Sequence, residues 1–420
     1  MTTARVAILG AWHLGAVATA VIADWGNEVA VWDRDAATRQ RLSSGRAMVS
    51  EPGLDDLLAS NAHCTRVCGE PEDALIDANI AIIAYDTPVD SDDRLDLTPV
   101  DEAVAAAAAS LPTGALLVIH SQVPVGYTDG VIRRLAEQGR ADILVTVTPE
   151  NLRLGVAISA FREPGHLAVG GVSGEAHERA RAFWAPTEAD VVCTTPATAE
   201  MSKHIINSVL ATSTALGNEL GDLARSSGAD PTGAALLAKR DPRLRGLPIL
   251  PGLPVGGGTL GRDLRLIADR LGPDSLPAAV VRSSDRRLHH LVSRVLATAG
   301  EGPVAILGLT YKPGTSATRR SVGVSIARAL AQSGLSVIVF DPDVPAAGAL
   351  FADESGIRVA ASLEEAVAGA PVVAITTAHE QFRTPPALTA LDRPQTTIHD
   401  LVGVLGGPDV GLTHSELVGP

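Results

Sequence analysis

The chain has 420 residues, of which 46% are hydrophobic, and a formal net charge of −14. This length predicts roughly two or three domains, with enough apolar material to bury a core in each. The acidic balance argues against a nucleic-acid partner, because phosphate contacts need a basic surface. Apolar runs stay well short of the ~20 residues of a membrane span, so we also expect no membrane association.

The cysteines indicate a reducing compartment. There are only three, Cys64, Cys68 and Cys193, an odd number that is too small for a disulfide framework. Cys64 and Cys68 lie four apart without a matching second pair, so we interpret them as packing residues and predict no metal site. The N-terminus runs straight into a strand-like segment at residues 6–9, and we expect no signal peptide and a cytoplasmic location.

The first 195 residues have the pattern of a nucleotide-binding domain. A strand at 6–9, a glycine-bounded turn at 10–15, an alanine-rich helix to about residue 25 and a strand at 28–32 form a βαβ unit. Further strand-like runs at 80–84, 115–119 and 143–147 alternate with helix-like stretches such as 101–110. This alternation predicts a doubly wound parallel sheet, and we place the domain at 1–195.

A long helix and a second βαβ unit follow. Apolar residues recur every three or four positions from 198 to 225, which predicts a long helix in a helical middle domain at 196–295. Its exposed apolar side predicts a homodimer. A strand at 304–307, a helix at 322–333 and a strand at 337–340 begin a domain at 296–420. The predicted fold is therefore α/β, with two Rossmann-like doubly wound parallel-sheet domains joined by a long central helix.

The first glycine turn is the candidate cofactor site. In such turns glycines permit the sharp bend, the approach of a pyrophosphate and close helix packing. Gly10 and Gly15 fit the first and last positions, but Trp12 occupies the middle one, where its ring either points away from the phosphates or shifts the cofactor. His13 and Leu14 complete the turn. A glycine-bounded βα turn can also be purely structural, which remains the alternative.

Asp33 ends the second predicted strand, where a carboxylate accepts hydrogen bonds from the adenosine ribose and repels a 2′-phosphate. The pattern therefore favours NAD over NADP. Arg34 weakens that preference slightly, unless it is an ordinary surface arginine.

Several segments resemble one enzyme family. The sequence Pro-Gly-Leu-Pro-Val-Gly-Gly-Gly-Thr-Leu-Gly-Arg-Asp at 251–263 resembles the Pro-Gly-x-Gly-Tyr-Gly-Gly-Ser-Cys-Phe-Pro-Lys-Asp signature of the UDP-glucose/GDP-mannose dehydrogenases. Glu-Pro-Gly-Leu at 51–54, Thr-Pro-Glu-Asn-Leu-Arg at 148–153 and Ala-Glu-Met-Ser-Lys-His-Ile-Ile-Asn at 199–207 match other segments of that family. The resemblance extends over residues 4–400. It also implies that Thr87, Ser121 and Gln122 close over the nicotinamide half of NAD.

The resemblance implies a set of reacting residues. Lys203 and Asn207 are four apart and share one helical face, where an ammonium and an amide can converge on one oxygen and stabilise an alkoxide. Asp263 matches the family aspartate that works with this lysine, and Glu150 is a candidate general acid or base, or a residue that orients a water. Taken alone, Lys203 could be a solvated lysine, Asn207 a capping residue and Asp263 an acid at a helix N-terminus.

The positions where this sequence departs from the family's motifs affect one half of the family's mechanism. Thr259 replaces the cysteine that forms a thiohemiacetal and then a thioester, and a threonine hydroxyl ionises negligibly at neutral pH. Gln122 replaces a threonine and Leu154 replaces a second glutamate. We therefore expect a two-electron oxidation of an alcohol, at C6 or at a secondary carbon, that stops before the carboxylate. The alternatives are a redox-neutral epimerase or dehydratase that recycles its NAD, and an inactive homologue that binds a sugar nucleotide.

The resemblance also assigns a substrate side, for a UDP- or GDP-linked sugar in specialised bacterial sugar or antibiotic metabolism. Arg243 matches an arginine that reaches the sugar nucleotide across a dimer interface, and Arg319 is a candidate diphosphate anchor whose alternative is a solvated surface arginine. The full expected substrate set is Leu152, Arg153, Arg243, Gly256, Gly257, Lys312 and Arg319.

Overall fold

The structure is a computed structural model that describes residues 3–87, 95–256, 260–300, 302–344, 347–406, 412 and 416–419. The chain divides into two compact units, Met1–Ile206 and Asn207–Pro420. The division into domains 1–195, 196–295 and 296–420 stays a prediction. No helix within the described ranges combines the length and the apolar character that a bilayer crossing requires.

The first unit is built on an eight-stranded sheet with the order β3-β2-β1-β4-β5-β6-β7-β8. Neighbouring strands are parallel except β6 and β7, which are antiparallel. The strands are β1 Arg5–Leu9, β2 Glu28–Trp32, β3 Thr65–Val67, β4 Ile80–Ile83, β5 Leu116–Ile119, β6 Leu144–Val147, β7 His166–Gly171 and β8 Asp190–Thr194. The helices are α1 Leu14–Asp24, α2 Ala36–Ser43, α3 Leu54–Ser60, α4 Pro71–Leu75, α5 Thr98–Ser110, α6 Tyr127–Glu137, α7 Ala157–Arg162 and α8 Gly174–Trp184.

Alternation along the central strand produces a core on each face of this sheet. Val6 and Ile8 of β1 pack into one buried apolar cluster, and Ala7 and Leu9 pack into another. A parallel strand covered on both faces is apolar throughout, which is why residues 6–9 read as an uninterrupted apolar run. The order of the first six strands is the Rossmann order, with its crevice at the carboxyl ends of β1 and β4.

The second unit has a six-stranded, fully parallel sheet with the order β11-β10-β9-β12-β13-β14. Its strands are β9 Val304–Leu307, β10 Val337–Phe340, β11 Ile357–Val359, β12 Val372–Ile375, β13 Thr397–Asp400 and β14 Glu416–Val418. Helices α9 Pro196–Ser226, α10 Pro231–Ala238, α11 Leu260–Leu271 and α12 Leu276–Thr298 precede this sheet in the chain. Helices α13 Val322–Gln332, α14 Leu363–Val367 and α15 Pro385–Leu391 alternate with its strands.

The long helix α9 begins in the first unit and continues into the second. Pro196 occupies its first position, where a missing N–H costs nothing, and the Thr195 hydroxyl accepts a hydrogen bond from the Thr198 N–H at 3.3 Å. The predicted helix at 198–225 is thus present with slightly wider bounds. Two parallel-sheet βαβ arrays and a long helix confirm the predicted fold class.

Candidate active site

The glycine turn after β1 cannot accept side chains at its two ends. Gly10 has φ +97°, and a Cβ there would lie 2.9 Å from Tyr85. A Cβ on Gly15 would lie only 1.7 Å from the Gly10 carbonyl oxygen, so α1 packs against the turn at a distance that only glycine permits. Trp12, between them, has 38% of its surface exposed. The turn therefore has the backbone that a dinucleotide requires.

Asp33 stabilises this turn from the end of β2. Its carboxylate accepts hydrogen bonds from the Ala11 N–H at 2.6 Å and the Asp35 N–H at 2.8 Å. Burial raises the pKa of Asp33, and these two hydrogen bonds oppose the shift. Arg34 forms an exposed ion pair with Glu102 at 3.6 Å, the geometry of a surface arginine.

Two carboxylates, Asp86 and Glu51, contact the N-terminus of α1. Asp86 Oδ2 accepts hydrogen bonds from the N–H groups of His13 and Leu14, at 3.1 and 3.0 Å. Glu51 Oε2 lies 3.1 Å from His13 Nε2. Burial alone would lower the pKa of His13, but the hydrogen bond to Glu51 and the nearby carboxylates outweigh it and raise that pKa.

Glu51 also connects this turn to the segment after β6. It accepts hydrogen bonds from the Gly155 N–H at 2.9 Å and the Ala157 N–H at 2.8 Å. Burial would raise the pKa of Glu51, but the hydrogen bond from His13 and these two backbone bonds lower it. The Glu-Pro-Gly-Leu match was the available signal for Glu51, although it suggested no partner.

The residues that follow β4 and β5 contact one another, and their role at the nicotinamide half of NAD stays a prediction. The Thr87 hydroxyl donates to the Gln122 carbonyl oxygen at 3.2 Å, and the Ser121 hydroxyl donates to Ile83 O at 3.3 Å. Gln122 Nε2 lies 3.4 Å from Nδ1 of the buried His204 on α9. The side chain that replaces the expected threonine is thus directed at the helix that also carries Lys203.

Lys203 is buried beside Glu150. Its Nζ donates to Asn151 Oδ1 at 3.3 Å and lies 3.7 Å from Glu150 Oε1, and only 6% of the residue is exposed. Glu150 Oε2 in turn accepts a hydrogen bond from the Leu152 N–H at 2.5 Å. A buried ammonium with a carboxylate partner is not a solvated surface lysine, so the geometry contradicts that alternative. Leu152 packs against the apolar core, whereas Arg153 is exposed.

His120 interacts electrostatically with both members of this pair and was missed by sequence reasoning. Its Nδ1 contacts the Thr148 carbonyl oxygen, and the residue is 3% exposed. Burial lowers its pKa, and the positive charge of Lys203 adds to that effect. Both effects favour the neutral form of this imidazole. A lone histidine after an apolar strand gave no signal beyond that of an ordinary core residue.

In the second unit, Asn207 and Asp263 form a buried pair. Asn207 Nδ2 donates to Asp263 Oδ2 at 2.5 Å, and Arg262 Nε donates to Asp263 Oδ1 at 3.0 Å. All three residues are at least nine-tenths buried. Asp263 does lie in the first turn of α11, but its side chain binds two buried donors, which a simple dipole role would not require.

Helix α9 anchors the segment that precedes Thr259. The Asn218 side chain accepts from the Gly252 N–H at 2.7 Å and donates to the Leu253 carbonyl oxygen at 3.0 Å. A Cβ on Gly217 would lie 2.5 Å from the carbonyl oxygen of Ile249, so helix and segment are in backbone contact. Gly256 is similarly close to Val322, at 2.9 Å from its ideal Cβ. Gly257 and Thr259 lie outside the described residues.

The basic residues that are predicted to bind the substrate differ in solvent exposure. Arg243 is exposed and pairs with Asp241, at 2.7 Å between Arg243 Nη2 and the carboxylate. Lys312 is partly buried, and its carbonyl oxygen accepts a hydrogen bond from the Thr315 hydroxyl at 2.8 Å. Arg319 is exposed in the same loop after β9.

Profiles of one family match most of the chain. The UDP-glucose/GDP-mannose dehydrogenase family's NAD binding domain matches residues 4–188, its central domain 197–287 and its UDP binding domain 305–406. A UDP-glucose 6-dehydrogenase of Rhizobium meliloti (strain 1021) is 31% identical over 397 residues, which cover 90% of each chain.

Solved structures agree with this assignment. The UDP-D-ManNAc dehydrogenase from Pyrococcus horikoshii aligns with a TM-score of 0.86 at 26% identity, over 99% of each chain. The UDP-glucose dehydrogenase from Pyrobaculum islandicum aligns with a TM-score of 0.85 at 26% identity, over 95% of this chain and 94% of that one. The chain therefore belongs to the UDP-glucose/GDP-mannose dehydrogenase family and is an NAD-dependent oxidoreductase of nucleotide sugars.

Proposed function

We propose that the chain oxidises one alcohol of a nucleotide-activated sugar, at C6, by two electrons and releases the product without making a carboxylate. The observation that carries this proposal is the combination of a buried Lys203–Glu150 pair at 3.7 Å with a threonine, Thr259, at the position of the family's nucleophile. The first feature serves hydride transfer, and the second removes the covalent step.

The chemistry of the first oxidation can be divided among these residues. When bound, NAD accepts the hydride from the alcohol carbon. Lys203 and Asn207 lie one turn apart on α9 and donate hydrogen bonds to the oxygen as it becomes an alkoxide. Glu150 takes the hydroxyl proton directly or through a water. Asp263 fixes the amide of Asn207, with which it shares a 2.5 Å hydrogen bond.

A second oxidation would need a nucleophile that adds to the aldehyde carbon. A cysteine thiolate does this readily, because the thiol pKa is close to neutral, whereas a threonine hydroxyl must be deprotonated by an adjacent base. Leu154 replaces the second glutamate of the matched pattern, so this chain lacks that acid as well. The product of the first oxidation is thus the final product.

We further propose a UDP-linked substrate and a homodimer. Relatives whose names specify UDP-sugars support the nucleotide, with Arg243, Lys312 and Arg319 as its candidate contacts. The dimer is supported by exposed apolar side chains at helical spacing on α9. Exposure of such a surface to water is unfavourable, and a second copy of the chain would bury it. These side chains are Met201, Ile205, Val209, Leu216, Leu220 and Leu223.

The test is to incubate the purified protein with NAD and a panel of UDP- and GDP-sugars, and to measure NADH by absorbance and the product by mass spectrometry. One NADH per sugar, with loss of two hydrogens, supports the proposal. A changed sugar without net NADH indicates an epimerase or dehydratase, and binding without turnover indicates an inactive homologue. Two NADH per sugar would refute it. In the matched variant Thr259→Cys we expect a covalent adduct with the product, which Thr259→Ser should not form.

A further inference from the structure

Asp86 follows β4 and contacts the start of α1. One oxygen of its carboxylate, Oδ2, accepts the N–H of His13 at 3.1 Å and the N–H of Leu14 at 3.0 Å. His13 is the N-cap of α1 and Leu14 is its first residue. These N–H groups have no partner within the helix, because the first amides of any α-helix lack a preceding carbonyl.

The same amides are the ones that a dinucleotide needs. In a βαβ unit with this glycine turn, the pyrophosphate binds at the N-terminus of the helix, through free N–H groups and the positive end of the helix dipole. A carboxylate oxygen and a phosphate oxygen are both anionic acceptors and cannot occupy one pair of donors together. Asp86 therefore imitates the phosphate at this position.

The surrounding charges make joint occupancy still less favourable. Glu51 lies 3.1 Å from His13, so the imidazole at this turn already has a carboxylate partner. Burial raises the pKa of Asp86, the nearby Glu150 adds to the shift, and His13 and the two backbone bonds oppose it. One imidazole thus faces three acids, Glu51, Asp86 and Glu150, before a pyrophosphate adds its own negative charge.

We propose that Asp86 determines the affinity for the cofactor: its carboxylate occupies the His13 and Leu14 amides, and NAD binds when the pyrophosphate displaces it. The idea rests on NAD binding and is independent of how many electrons the sugar loses. The proposal implies that Asp86 lowers the affinity for ligands that carry a pyrophosphate and does not change the affinity for ligands that lack one.

The experiment is calorimetric titration of the full chain with NAD, ADP-ribose and adenosine. Asp86→Ala should lower the Kd for NAD and for ADP-ribose by about tenfold or more, because the two amides become available. The Kd for adenosine should not change. Asp86→Asn removes the charge but keeps an acceptor, so a smaller gain of the same sign is expected. Asp77→Ala, which removes an exposed acid shortly before β4, controls for net charge.

Three results would overturn the proposal: unchanged or weaker binding of NAD and ADP-ribose to Asp86→Ala, an equal gain for adenosine, or an equal gain in Asp77→Ala. If Asp86→Ala does not fold by circular dichroism, the isosteric Asp86→Asn decides the question by the same criteria. This assay contains no sugar nucleotide, so its result can be interpreted even if the proposed oxidation is refuted.

Discussion

Replacing Asp263 by alanine should destabilise the second unit by about 3–5 kcal/mol, the usual cost of removing one partner of a buried ion pair. The figure applies here because the side chains of Arg262 and Asp263 are 7% and 1% exposed, which leaves little solvent to screen the lost charge. Asn207 loses its acceptor in the same step, and a buried donor without a partner costs about 1–3 kcal/mol on its own.

Urea unfolding followed by circular dichroism measures this loss. Asp263→Asn keeps the shape and one acceptor, so it should lie between the wild type and Asp263→Ala. Asp269→Ala, on an exposed turn of the same helix α11, is the matched control and should change the unfolding free energy by less than about 0.5 kcal/mol. A loss below about 1 kcal/mol for Asp263→Ala would show that the buried cluster is not the stabilising contact described above.

Gly15→Ala should abolish NAD binding in a titration, because its Cβ would collide with the Gly10 carbonyl; Gly130→Ala, at a helical position with open space, should bind NAD normally. Lys203→Met should lower kcat by about 10²–10³-fold while NAD affinity is retained, and a loss of NAD affinity instead would argue against its role at the alkoxide. Glu51→Gln should reduce the unfolding free energy most between pH 4.5 and 6.5, the ordinary pKa values of the two partners. The pKa of His13 is raised and that of Glu51 is lowered, so the stability difference should fade as the pH rises through the pKa of His13 or falls through that of Glu51. A difference independent of pH would contradict the pairing.

The first strand of each sheet's βαβ unit was predictable to within a residue. Residues 6–9 and 304–307 are buried on both faces of their sheets, which requires an uninterrupted apolar run. Such a short run followed by a glycine predicts a buried strand. The last two strands of the first sheet, β7 and β8, were missed. Strand β8 is only partly buried and β7 begins at an exposed histidine, so neither gives an uninterrupted apolar run. The antiparallel step from β6 to β7 also departs from the alternation that guided the prediction.

Within the site, predictability depended on sequence separation. Lys203 and Asn207 are related by one helical turn, a relation that spacing alone conveys. Asp86 lies 73 residues from His13, and Glu51 lies 106 from Ala157, so their contacts depend on how strand ends meet at one edge of the sheet. Asp86 also follows no motif that would have singled it out. The structure identifies the carboxylates that contact the cofactor turn, whereas the local sequence pattern could not identify them.

The most direct test of the central claim is the ratio of NADH formed to sugar nucleotide consumed at completion, measured on the wild-type chain with the substrate that it turns over. The proposal predicts a ratio of one and a product that is an aldehyde. A ratio of two with a uronate product would show that a residue other than a cysteine at position 259 supports the second oxidation, and would contradict the account.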